Sequence, residues 1–170
     1  ELKGMGTTVV AALFDEKRAT LVHVGDSRAY LMREAELRRL TDDHSWVQEQ
    51  VNAGILSEDE ARSHPLKNVV TRALGGGMHV AVDLLEIPVG GGDRFLLCSD
   101  GLTGMVSDEE ITNALSSSRS LEEIVRGLAL ALSPDDVVLE VGSGPGSIST
   151  YSPFRPRSVR VAPPVADPAL

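Results

Sequence analysis

Cysteine is almost absent from this chain of 170 residues, and the sole one is Cys98. An internal disulfide is therefore excluded, and a reducing, cytoplasmic setting is expected. Positive charge is also scarce: 16 Lys and Arg stand against 25 Asp and Glu, for a net charge of −9. Nucleic-acid binders ordinarily carry a basic patch, so nucleic acid is not an expected partner, whereas divalent cations are. No run approaches the ~20 apolar residues of a membrane span, so no membrane partner is expected either. Proline is sparse over most of the chain, with only Pro65 and Pro88 before Pro134. The first residue is Glu1 rather than Met, which is expected of a piece of a longer protein or of a processed product. What remains, 42% hydrophobic and 24% charged residues, is ordinary for one globular domain with a real core. A monomer is expected.

The early part of the chain alternates as strands do. Thr7 to Phe14 and Ala19 to Val24, joined by the polar turn Asp15-Glu16-Lys17-Arg18, predict an antiparallel hairpin. Ala29 to Met32 and Leu37 to Leu40, joined across Arg33 to Glu36, predict a second. The period then changes. Ser45 to Val51 reads as a short helix that stops near Gly54. Ser57-Glu58-Asp59-Glu60 has capping-box spacing and predicts a helix ending by Pro65. Val80 to Ile87 and Arg94 to Cys98 are again strands, separated by Pro88 and three glycines. Ser107 to Glu110 and Ser120 to Glu123 open two further helices, the last reaching about Leu132. Beyond that, Pro153, Pro156, Pro163, Pro164 and Pro168 preclude helix and most sheet, so residues 142–170 are expected to be a Gly/Pro-rich tail, disordered or a fusion junction.

Two strands end alike. Ala19 to Val24 runs into Gly25-Asp26-Ser27-Arg28, and Arg94 to Cys98 runs into Ser99-Asp100-Gly101-Leu102, where Gly101 allows a tight turn. A lone Asp after a strand is ordinarily a turn or cap residue. Two strands that each deliver one Asp can instead build an oxygen-ligand site, and such ligands suit Mg or Mn.

Five ordered segments carry a resemblance. They are Gly4-Met5-Gly6-Thr7-Thr8, Gly25 to Tyr30, Leu40-Thr41-Asp42-Asp43-His44-Ser45, Asn68 to Gly75, and Ser99-Asp100-Gly101-Leu102. Together they closely resemble bacterial PPM-type (protein phosphatase 2C-like) metal-dependent serine/threonine protein phosphatases. The resemblance implies an α+β fold, an antiparallel β-sandwich flanked by helices, here incomplete, over residues 1–141. It implies a flap over about residues 45–66 near the substrate entrance. It also implies two core Mn2+ or Mg2+ ions plus a weaker third. Asp100 would be a core ligand that also faces the third ion, and Asp26 a ligand of that outer site. The implied reaction is attack of a metal-activated water on phosphoserine or phosphothreonine in proteins, in line and without a phosphoenzyme. The implied partners are those phosphoproteins and a cognate serine/threonine kinase.

Other residues receive quieter readings. Arg28 could contact phosphate but is expected to hold its loop by pairing with a carboxylate. Thr71 and Arg72 are expected to fix the flap to the body, and Trp46 to anchor a flap helix. His23 is expected to face away from the core. His44, His64 and His79 lack metal-ligand spacing and read as solvated or structural. Cys98, inside an apolar strand, reads as an inert core residue.

The resemblance also implies residues that this chain does not match. They are a phosphate-binding arginine, an Asp-Gly whose Asp bridges the core metals, and a histidine that protonates the leaving group, all upstream of the strand that starts at Gly4. No catalytic residue is therefore assigned. Weak metal binding and little activity are expected of the isolated chain, because closely spaced cations repel without a bridging carboxylate. Toward the other end, Asp135 in Pro134-Asp135-Asp136 stands where the family's last core ligand would be, without the usual glycine turn. Val138 to Gly146 also resembles motif I of S-adenosylmethionine-dependent methyltransferases, although prolines interrupt the helix that should come next. Three readings thus stand: the phosphatase, a noncatalytic phosphatase-like binding module, and a junction to a truncated methyltransferase.

Overall fold

The structure, a computed structural model, describes residues 5–15, 17–75, 79–130, 139–142 and 148–151, the last two stretches by their backbone alone. The expected hairpins form. β1 (Val9–Phe14) pairs antiparallel with β2 (Arg18–Val24), and β3 (Arg28–Arg33) with β4 (Glu36–Arg39). The β3–β4 turn passes through Glu34 and Ala35, whose φ of 52° and 65° are unusual for residues with a Cβ.

The segment after β4 holds two short helices, α1 (Trp46–Asn52) and α2 (Glu58–Ser63). Ser45 caps α1, and Ser57 and Glu60 close the anticipated capping box on α2. β5 (Asp83–Pro88) starts three residues later than the apolar pattern suggested, and β6 (Arg94–Cys98) comes next. Then comes α3 (Asp100–Thr103), a single helical turn. Gly101 lies inside it and is not among the left-handed glycines, so the chain leaves Asp100 in helix rather than through a tight glycine turn. Capping boxes at Ser107 and Ser120 start α4 (Asp108–Ser116) and α5 (Leu121–Ala129). Arg94 of β6 donates to the carbonyls of Leu115 and Ser117, and so satisfies the open end of α4. β7 (Leu139–Gly142) and β8 (Ile148–Tyr151) complete the described elements.

The strands form two antiparallel sheets, ordered β1-β2-β5 and β4-β3-β6-β7-β8. β3 shows why they stack. Its Ala29 and Leu31 face the first sheet and join Ala19, Leu21, Ile87 and Phe95 in one core. Its Tyr30 and Met32 point the other way and join Ile111, Leu115, Ile124 and Leu128 of α4 and α5 in a second core. Strand periodicity of two thus gives a central sheet buried on both faces. An edge-on contact of Phe14 and Phe95, centroids 5.0 Å apart, ties the two sheets together. Among the described residues no helix is long and apolar enough to cross a membrane.

Candidate metal centre

The register of β3 against β6 builds the site. Arg28 pairs with Cys98 at the end of the ladder. Asp26 lies two residues before Arg28, and Asp100 two residues after Cys98. Antiparallel pairing therefore brings both carboxylates to the same end of the sheet. They line one cleft of about 550 Å³ with Arg28, Asp43, Gln48, Arg62, Lys67 and Asp108. Burial, and then the neighbouring Asp100 carboxylate, push the Asp26 carboxyl above its ordinary range. Among the described residues neither Asp26 nor Asp100 has an ion-pair partner. Two carboxylates without a direct ion-pair partner in one cleft form a donor set that fits a hard divalent cation. Asp135, the third predicted ligand, lies outside the described residues.

The loop that carries Asp26 is closely held. Gly25 has φ +113°, and a Cβ there would stand 2.3 Å from Cγ2 of Thr8, so no other residue fits without rearrangement. Thr8 and Ser27 hydroxyls are bonded at 2.9 Å on the loop's far side. Arg28 pairs with Asp43 as expected, through Nε and Nη2 at 2.8 and 2.6 Å, and so is engaged by a carboxylate. Its Nη1 donates to the Tyr30 hydroxyl, which donates to Asp108 Oδ1 at 3.3 Å. Burial pushes the Tyr30 phenol up to about 12.

The segment that holds α1 and α2 is tied down at its base. The Thr71 N–H donates to the His44 carbonyl at 2.8 Å, and Arg72 Nη1 donates to Asp83 Oδ1 at 2.7 Å. Trp46 stacks on His64 with centroids 5.0 Å apart, which locks α1 to the end of α2. Cys98 is buried, and burial pushes its thiol up to about 12, as an inert residue requires.

One expectation fails. His23 does not face away from the core: it is 3% exposed, and neither ring nitrogen has a hydrogen-bond partner among the described residues. It is the last inward residue of β2, on the same face as Ala19 and Leu21, directly opposite Asp83 of β5. Its ring packs on that of His44, centroids 4.6 Å apart. Burial first, then His44, hold its imidazole below the usual histidine range. His23, His44 and Asp83 offer ligand atoms within 4.8 Å of one another. Arg72 already supplies the positive charge there, 2.9 Å from His44 Nε2 and bonded to Asp83. The group is therefore a charge-balanced knot. Its members come from β2, the stretch between β4 and α1, and β5, so no local spacing in the sequence announced it.

Comparison with known proteins bears on the family of the chain. A sequence model of the protein phosphatase 2C family matches residues 1–140. Serine/threonine phosphatase stp of Listeria welshimeri is 47% identical over 123 residues, 72% of this chain and 49% of that protein. The crystal structure of the Mycobacterium tuberculosis serine/threonine phosphatase PstP/Ppp superposes with a TM-score of 0.73 at 45% identity, covering 76% of this chain and 55% of that one. A structure of the PstP catalytic domain in complex with two manganese ions superposes with a TM-score of 0.69 at 42% identity, over 76% and 53% of the two chains. This chain thus spans about half the length of the stp protein.

Proposed function

This chain belongs to the protein phosphatase 2C family, and from that premise we propose that it is part of a metal-dependent protein serine/threonine phosphatase. The observation that carries the proposal is the meeting of Asp26 and Asp100, unpaired among the described residues, in one cleft beside the flap. Asp100 would hold a core Mn2+ or Mg2+, and Asp26 would serve a weaker outer ion, with Asp135 as a further ligand. Such ions supply an activated water and neutralise charge on the transferring phosphoryl group.

The chain's own residues would receive and orient the phosphoprotein. Arg62 of the flap and Lys67 just after it line the cleft and, among the described residues, have no carboxylate partner. They are placed to meet the phosphate or acidic residues beside it. Arg28, engaged by Asp43, keeps the loop in place rather than reaching for substrate. We further propose a cytoplasmic monomer that acts on phosphoserine and phosphothreonine proteins and opposes a cognate kinase. The antiparallel pairing of β7 with β6 and β8 supports a last sandwich strand over a methyltransferase motif, whose sheet would run parallel.

The test is hydrolysis of p-nitrophenyl phosphate and of a phosphothreonine peptide, with Mn2+, by this chain and by a version extended upstream. Turnover by the extended version that is lost with chelator and with Asp100→Asn supports the reading. Turnover indifferent to metal would sink it. Phosphopeptide binding without turnover in either version would favour the noncatalytic module.

A further inference from the structure

We propose that His44 is a positioning residue for the outer metal ligand: it holds the Gly25–Asp26 loop and ties that loop to the base of the flap. The inference rests on the reading of Asp26 as a metal ligand.

His44 grips Gly25 at both of its polar backbone atoms. The Gly25 N–H donates to His44 Nδ1 at 3.0 Å, and the His44 N–H donates to the Gly25 carbonyl at 2.8 Å. Gly25 immediately precedes Asp26, so these two bonds fix the peptide from which the carboxylate projects. With Nδ1 accepting, the neutral ring carries its proton on Nε2, where it donates to Asp83 Oδ2 at 3.0 Å. Asp83 is held in turn by Arg72.

The same histidine reaches the flap. Its carbonyl accepts from Thr71 N–H, and the adjoining Ser45 bridges to Val70 where the flap rejoins the body. The His23 ring lies against the imidazole and makes no hydrogen bond among the described residues, so it acts as a wall that limits rotation of the His44 ring. Flap base and metal-ligand loop therefore share one side chain. Only an imidazole places an acceptor near its own backbone and a donor on the far side at once. Asn reproduces the near acceptor, and Gln reproduces the far group alone.

The experiment is Mn2+ titration of this chain monitored by electron paramagnetic resonance, with hydrogen exchange of the Gly25 amide as a second readout. Asp26→Asn should remove the outer site. His44→Ala should weaken Mn2+ binding about tenfold, the scale on which outer-shell partners act, and should expose the Gly25 amide to exchange. His44→Asn should restore both toward the wild-type values, and His44→Gln should not. If His44→Ala does not fold, the Asn and Gln variants carry the comparison, and Gln binding Mn2+ as well as Asn overturns the inference. Wild-type Mn2+ binding by a folded His44→Ala overturns it too, with Asp26 still standing as a ligand. If Asp26→Asn itself leaves binding unchanged, the metal reading of Asp26 fails and this inference falls with it.

Discussion

Arg28 and Asp43 face each other in a two-pronged ion pair, with Nε–Oδ1 at 2.8 Å and Nη2–Oδ2 at 2.6 Å, and both side chains are largely withdrawn from water. The flat guanidinium matches the carboxylate at both oxygens, which a lysine cannot do. Asp43→Asn would leave the guanidinium buried without a counter-charge. It is expected to cost about 3 kcal/mol, read as a lowered urea midpoint at unchanged slope. Arg28→Lys should recover only part of the wild-type stability relative to Arg28→Ala.

Asp26 should show the opposite trade. Its carboxyl is raised by burial and by Asp100, so its charged form is disfavoured in the fold. The folded state accordingly holds this proton more tightly than the unfolded chain does. The associated stability is present at low pH and is lost as pH rises from the ordinary aspartate value through the folded one. At neutral pH without metal, Asp26→Asn is therefore expected to raise the melting temperature while abolishing the proposed outer Mn2+ site. A melting temperature that falls in metal-free buffer would contradict this charge balance.

His23 supplies a pH dependence of its own. Burial holds its imidazole below the usual histidine range, so the folded state is the weaker proton binder. Its contribution is intact above the ordinary histidine value of about 6.5 and is lost as pH falls from there through the folded value. His23→Leu removes two unpartnered buried nitrogens at similar bulk. We expect it to be neutral or stabilising by about 1 kcal/mol, and to flatten the decline in stability below pH ~6.5. Thermal melts of both proteins across that range provide the check.

The β3–β4 turn can be improved. Glu34 and Ala35 both adopt positive φ, which a two-residue hairpin of this twist requires and which Asn-Gly satisfies best. The double change Glu34→Asn, Ala35→Gly should stabilise by about 1 kcal/mol, measured as a raised denaturant midpoint with metal binding unaltered.

Much of the fold was legible because its signals are local. Three Ser-x-x-Glu spacings announced helix starts, and each forms a capping box at Ser57, Ser107 or Ser120. Alternation announced β1 to β4, since strand periodicity shows wherever one face is buried more than the other. The turn α3 was missed because four residues are too few to show a helical period. His23 was misplaced because a histidine's polarity says nothing of which face its strand turns inward. The pattern of Ala19 and Leu21 on the same face, read strictly, was the available signal.

The sequence alone determined that two strands end in aspartates, that a capped two-helix segment lies between them, and which family the ordered motifs resemble. These are matters of adjacent residues and of spacing along one element. The tertiary structure decided that the two aspartates meet. Arg28 lies opposite Cys98, and a register shift of one residue would have turned the strand's side chains to the opposite faces. It also decided that His44 reaches back across nineteen residues to the backbone of Gly25. Such contacts form between elements that only packing brings together, and no spacing along the chain encodes the distance.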